Sequence, residues 1–137
     1  MSLDSIMTQI ATVESGIVGV LKANDKAPAT MNVFPSFVNF PAGGTIDRRP
    51  STRWPTHKII LELHVTKQVL PEAERLLRPY LESTLDAFDG HLTLNGTCGN
   101  SRITSYQYGV LTYNGQQHLG ITFTLEATEI TPFTFVA

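Results

Sequence analysis

The sequence predicts an α+β fold in a single domain of 137 residues, with a mostly antiparallel β-sheet, a C-terminal β-hairpin and helices packed on one face. Asn114-Gly115 separates two runs that alternate apolar with polar or small residues, which is the strongest short-range signal for a hairpin with a type I′ turn. Residues 57–67 alternate in the same way, and segments 3–13 and 71–88 place their apolar residues at helical spacing. These patterns favour one sheet covered by two helices.

The N-terminal segment predicts a short amphipathic helix. Its apolar residues recur at helical spacing from Leu3 to Val13, Ser2 is available as the N-cap, and Gly16 ends the pattern. The apolar run 17–21 is suited to a strand or to the entry into one. The following residues, 24–30, have the polar, proline-containing composition that is typical of a loop.

Two consecutive segments with prolines follow. Residues 31–40 are rich in β-branched and aromatic side chains, but Pro35 and Pro41 cannot donate to a β-ladder, so we expect an edge strand or a bulged strand. Residues 41–56 contain Gly43-Gly44, Pro50 and Pro55 and have no periodicity, which predicts a long loop.

The predicted loop is the chief candidate for contact with a partner. Arg and Trp are enriched at the energetic centres of protein interfaces. A solvated loop, kept soluble by its charges, explains these residues equally well. The residues concerned are Arg48, Arg49, Arg53 and Trp54.

Residues 57–67 predict a central strand that pairs with the hairpin, and 71–88 predict the helix that covers the sheet. Pro71 suits the first position of that helix. Pro79 lies inside the helical pattern, so we expect a kink or a break near Leu77 to Arg78.

The turn at Asn114-Gly115 fixes the register of the hairpin. On the apolar face we expect the pairs Val110 with Leu119, Tyr108 with Ile121, Tyr106 with Phe123 and Thr104 with Leu125. On the other face we expect Ser105 with Thr124, Gln107 with Thr122, Gly109 with Gly120 and Leu111 with His118. The segment 131–137 is apolar, and its Phe133 and Phe135 are expected to fold back or, preferably, to dock on a neighbouring subunit.

Composition excludes several classes of protein. A net charge of -2 and a pI near 6.0 argue against free nucleic-acid binding, which normally requires a basic surface. The single Cys98 excludes an internal disulfide and a cysteine-based zinc site. No apolar stretch approaches the roughly 20 residues that span a bilayer, and the N-terminus lacks a signal-peptide pattern, so we expect no membrane contact and a cytoplasmic site of synthesis.

No sequence motif indicates catalysis. The four histidines have no metal-binding spacing, and neither a nucleophile elbow nor a phosphate-binding loop occurs. Glu62 and His64 share one face of a strand and would suit a metal site or an acid–base pair, although a solvated sheet face is the commoner explanation. We therefore expect no catalytic residue, no cofactor and no metal.

The chain resembles the tail-terminator and tail-completion proteins of long-tailed bacteriophages, over most of its length outside 42–56. The matching features are the helix leading to Gly16-Ile17, the strand 58–67, Leu70-Pro71-Glu72-Ala73, Pro79-Tyr80-Leu81, Leu92-Thr93-Leu94-Asn95-Gly96, and the two hairpin strands 108–115 and 119–126. The resemblance implies an α+β fold and a homohexameric ring that caps the tail tube, ends its polymerisation and offers a joining surface to the head connector or stopper. It also implies assembly in the host cytoplasm, residence in the virion, and passage of DNA through the lumen without specific binding.

For such a ring, the expected protein-interface residues are Arg48, Arg49, Arg53, Trp54, Gln107, His118, Thr122, Phe133 and Phe135. A related neck adaptor or head–tail joining protein is the alternative. A more distant alternative is a small cytoplasmic enzyme or ligand-binding domain, with a concave site lined by Glu62, His64 or His118.

Overall fold

Six strands and two α-helices make up the part of the chain that the computed structural model describes, which is residues 2–24, 28, 31, 33–48, 50–66, 71–129 and 131–132. The elements are α1 (Leu3–Ser15), β1 (Lys22–Asn24), β2 (Ser36–Arg48), β3 (Thr52–Thr66), α2 (Arg78–Asp89), β4 (Asn100–Tyr113), β5 (Gln116–Thr128) and β6 (Thr131–Pro132). A 3-10 helix over Pro71–Leu76 precedes α2.

The strands form one sheet in the order β1-β2-β3-β5-β4, and β6 pairs with the first residues of β3. Only β1 and β2 run parallel; β2 with β3, β3 with β5, and β4 with β5 are antiparallel. The expected mostly antiparallel sheet is confirmed. So is the position of β3 at its centre, directly beside the C-terminal hairpin.

The C-terminal hairpin has the predicted turn, because Asn114 and Gly115 both have positive φ, 50° and 77°. Seven of the eight expected cross-strand pairs are confirmed. The pair of Thr104 with Leu125 is wrong, since Ile103 lies opposite Leu125 and Thr104 is the extra residue of a β-bulge.

Both helices pack on the same face of the sheet, as expected. Ile10 of α1 and Phe88 of α2 join a core whose sheet side includes Phe37, Leu61 and Phe123. The Ser2 hydroxyl accepts a hydrogen bond of 3.1 Å from the Ser5 amide and caps α1, again as expected.

The predicted break in the second helix is confirmed. The 3-10 helix ends at Leu76, and α2 begins at Arg78 with Pro79 in its first turn. Proline is tolerated there because a helix leaves its first amides without an intrahelical partner. The side chains of Leu77 and Phe88 then cover the sheet.

The long loop expected over 41–56 is wrong, because β2 and β3 remain paired as far as Arg48 and Arg53. A register shift between Pro41 and Gly44 produces the bulge that was expected for a proline-containing strand. Strands β2 and β3 form a second hairpin. We call its distal part, residues 44–48 and 52–56, the arm. Residues 44–48 are exposed, so the arm lacks the alternation of apolar and polar residues by which a half-buried strand is recognised.

Candidate functional site

The arm extends beyond the strands that flank β2 and β3. Pairing with β5 ends at Thr56, and β1 pairs only with residues 36–38 of β2. Beyond these points, the part of the chain that the structure describes adds only the two residues of β6. A two-stranded ribbon alone is marginally stable, and unpaired strand edges favour pairing with another chain. The arm is therefore the first candidate for a contact surface.

Several contacts hold the base of the arm in line with the sheet. The His57 Nε2 atom lies 2.5 Å from Glu129 Oε2, and the hydroxyls of Thr56 and Thr128 are 3.0 Å apart. The amide of Glu129 donates to the Pro55 carbonyl at 2.9 Å. These bonds join β3 to the end of β5, so the direction of the arm is set by the domain.

Two of the predicted interface residues, Arg48 and Arg53, lie directly opposite each other near the tip of the arm. Direct cross-strand neighbours share one face of a ribbon. Trp54 and its partner Asp47 take the other face; the indole is half-buried, and its Nε1 donates to Thr52 Oγ1 at 3.3 Å. Arg49 lies outside the described residues.

Gln107 and Thr122 lie together on the face of the sheet that carries no helix, as predicted. With three neighbouring residues they line a shallow depression of about 320 Å³. The other lining residues are Ser105, Tyr106 and Thr124. Glu62, the β3 neighbour of Thr122, is six residues from Thr56, so this depression is roughly 20 Å from the arm.

His118 was expected at an interface, and this is wrong because its side chain is 1% exposed. Its Nδ1 atom lies 2.9 Å from His64 Nδ1, and the Phe34 ring packs edge-on against it at 4.8 Å between centroids. The Tyr113 ring lies against His64, and the Tyr113 hydroxyl donates to the carbonyl of Pro28. Residues ahead of β2 therefore cover this corner of the sheet.

Glu62, His64 and His118 form a hydrogen-bonded chain. Glu62 and His64 were expected on one face of a strand as a candidate acid–base pair, whereas the contact of His64 with His118 was not predicted. The Glu62 carboxylate lies 3.1 Å from His64 Nε2, and the opposite ring nitrogen of His64 meets His118. A carboxylate that orients a histidine is a common catalytic arrangement. Here His64 is fully buried, so a substrate has no access to either imidazole. Within the described ranges no group of three acidic, histidine or cysteine side chains fits a metal ion.

The apolar side chains of the edge strand β4 are more exposed than an inward face predicts. Tyr106, Tyr108 and Val110 are 40–48% exposed, whereas Phe123 and Ile121, the β5 partners of the two tyrosines, are buried. The helices cover the centre of the sheet and leave this edge open. The edge is therefore a second candidate for protein contact.

Comparisons with models of known protein families and with curated proteins find no match for this chain. No helix among the described residues is long and apolar enough to cross a membrane. Phe133 and Phe135, predicted to dock on a neighbour, lie outside the described residues. The arm and the exposed sheet faces are therefore the features of the described structure that bear on function.

Proposed function

We propose that this chain is a structural subunit of a long-tailed bacteriophage that assembles as a ring of six copies on the end of the tail tube. The ring stops tube polymerisation at its set length and presents a joining surface to the head connector. The observation that carries this proposal is the projecting arm with its exposed Arg48 and Arg53.

The arm suits assembly because a ring requires a heterologous interface, in which one surface of each subunit meets a different surface of the next. A projecting hairpin supplies one such surface, and the open β4 edge with Tyr106 and Tyr108 supplies another. The mechanism we propose is capping by complementary surfaces, without chemistry. The burial of His64 and His118 agrees with this, because it removes the access that the enzyme alternative requires.

The charge of the subunit supports a lumen through which DNA moves without specific binding. A net charge of -2 gives DNA little to adhere to. Arginines lining the channel would retard DNA, so in this proposal Arg48 and Arg53 face a protein neighbour. The ring is assembled in the host cytoplasm and remains in the virion between tube and connector.

A neck adaptor on the portal side of the joint is the second candidate, because an arm and an open sheet edge serve either ring. Light scattering on the purified protein over a concentration series, alone, with tail-tube subunits and with portal complexes, separates the two. A terminator forms a ring, alone or on the tube, and blocks tube growth. A protein that binds portal complexes but not tubes is the adaptor. A protein that binds neither contradicts the proposal.

A substitution tests the part played by the arm. Replacing Arg48, Arg49 and Arg53 with serine is expected to impair head–tail joining and to leave the fold intact, because Arg48 and Arg53 are exposed and make no described salt bridge. Arg75→Ser, at an exposed site on the 3-10 helix, is the control. Joining in vitro is measured by electron microscopy, and folding by circular dichroism. Unchanged joining by the triple variant would count against a role for the arm.

A further inference from the structure

The tip of the arm carries two like charges in an unfavourable position. Arg48 and Arg53 are direct cross-strand partners, and both are exposed. Like charges directly opposite each other destabilise a strand pair. No salt bridge joins either of them to an acidic group within the described part of the chain. The pair therefore lacks a described counter-charge within one copy.

Helix α2 carries the opposite charge, also in an unfavourable position. Glu82, Asp86 and Asp89 are exposed and follow one another at spacings of four and three residues, which places them on one face. Asp86 and Asp89 lie in the last turn, where the helix dipole favours cations, and that turn has no basic residue. None of the three carboxylates makes a salt bridge with a described residue.

From these two surfaces we infer that the arm tip of one copy docks on the acidic face of α2 in the next copy. The guanidinium groups of Arg48 and Arg53 match carboxylates in both charge and fork geometry. Contact between them would relieve both unfavourable arrangements at once. This inference rests on the proposed ring, and it names the surfaces that join its subunits.

A second copy fits better than another acidic partner, because the chain itself carries the complementary surface. Arg48 and Arg53 make no salt bridge with the acids of α2 within one copy. The two surfaces differ, so the contact is heterologous and repeats from copy to copy until a ring closes. Nucleic acid would use the same arginines, but the acidic face of α2 would then remain without a cationic partner.

A charge-swap experiment tests the interface. The arm variant is Arg48→Glu/Arg53→Glu, and the helix variant is Glu82→Lys/Asp86→Lys. In each variant alone the two substituted charges meet like charges across the interface, so its self-association is expected to weaken at least about 10-fold in light scattering. Mixed in equal amounts, the acidic arm meets the basic helix and the native arm meets the native helix. Association is therefore expected to return in the mixture and to weaken with added salt.

The control is Lys22→Glu/Arg75→Glu, which makes the same change of charge at exposed sites on β1 and on the 3-10 helix and is expected to associate as the unmodified protein does. Normal association of the arm variant, or a mixture no larger than its separate components, would overturn the interface. So would a protein that stays monomeric with and without tube subunits.

The same experiment separates this interface from the proposed function. If the charge-swapped mixture forms rings that do not stop tube growth, the interface stands and the capping function fails. If the arm variant forms normal rings that cap tubes, the function stands and the interface is overturned. Thermal unfolding of every variant checks that the fold is unchanged.

Discussion

The Glu14 carboxyl group on α1 lies 2.7 Å from the side-chain nitrogen of Asn39 on β2, and both side chains are fully buried. The same nitrogen donates to the carbonyl of Asn24 on β1 at 2.8 Å, so one amide links a helix to two strands. Burial raises the pKa of Glu14 well above its ordinary value, and the hydrogen bond from Asn39 only partly opposes this. The folded protein therefore favours the neutral acid at this site.

Glu14→Gln is expected to remove a pH dependence of stability. Below the ordinary pKa of glutamate both folded and unfolded states hold the proton; as the pH rises, the unfolded state loses it first, so the free energy of unfolding falls until the raised folded pKa is passed. Glutamine is neutral throughout, and at pH 8 the variant should be more stable than the unmodified protein by roughly 1–3 kcal/mol.

Urea unfolding between pH 4 and pH 8 measures this difference. Thr8→Ala, at an exposed site on α1 that carries no ionisable group, is the control and should keep the pH dependence of the unmodified protein. A Glu14→Gln variant with that same dependence would show that Glu14 is ionised in the folded state.

Gly120 and Gly109 face each other across the hairpin but should respond differently to alanine. A Cβ atom at Gly120 would collide with the Leu63 carbonyl oxygen and come within 2.8 Å of Leu111 Cδ1, whereas one at Gly109 has open space. Gly120→Ala is expected to lower the free energy of unfolding by roughly 3 kcal/mol, and Gly109→Ala by less than about 0.5 kcal/mol. Equal losses of stability in urea unfolding would contradict this close approach of β3 and β5.

His118→Ala is expected to lower the stability of the folded protein. The substitution removes the hydrogen-bond partner of His64 Nδ1 and the ring against which Phe34 packs edge-on. We therefore expect the free energy of unfolding to fall by roughly 3 kcal/mol. His91→Ala is the matched control, because the His91 side chain is exposed and, among the described residues, bonds only the carbonyl of Ala87 one turn earlier. If His118→Ala changed the oligomer mass without changing the unfolding midpoint, His118 would be an interface residue after all.

The Cys98 thiol should be protected from labelling in the folded protein. Its side chain is 1% exposed, and burial raises the pKa of the thiol, so little thiolate is present to react. Labelling by a disulfide reagent at pH 8 is expected to be at least about 100-fold slower than in 6 M urea. A comparable rate in both conditions would place Cys98 on the surface.

Much of the sheet could be predicted because its signals are local. The Asn114-Gly115 turn sets the register of the hairpin from its closed end, and the alternation over 57–67 marks the central strand. The error at Thr104 has a physical cause. A bulge adds one residue without changing the composition around it. Pairs counted by alternation from the turn are therefore wrong by one residue beyond the bulge.

The arm and the histidine pair could not be predicted in the same way. Gly44 and Pro55 are typical of loops, yet here the missing Cβ of Gly44 lets β2 approach the Thr56 carbonyl closely. Residues 44–48 are exposed on both faces of the ribbon, so they give no periodic signal. His64 and His118 are 54 residues apart, and their contact depends on the register of β3 against β5, which no turn between them fixes.

Strand β3 lies partly in the arm and partly in the core. Its amides are therefore expected to differ strongly in their protection against hydrogen exchange. Amides near Leu61, in the fully buried centre, should exchange only when the whole domain unfolds. Amides near Arg53 should exchange through openings confined to the ribbon. The boundary lies at Thr56, where pairing with β5 ends. Docking of the arm on a neighbouring copy would therefore slow exchange of the amides before Thr56. The amides after Thr56 would not change, because they already exchange only when the whole domain unfolds.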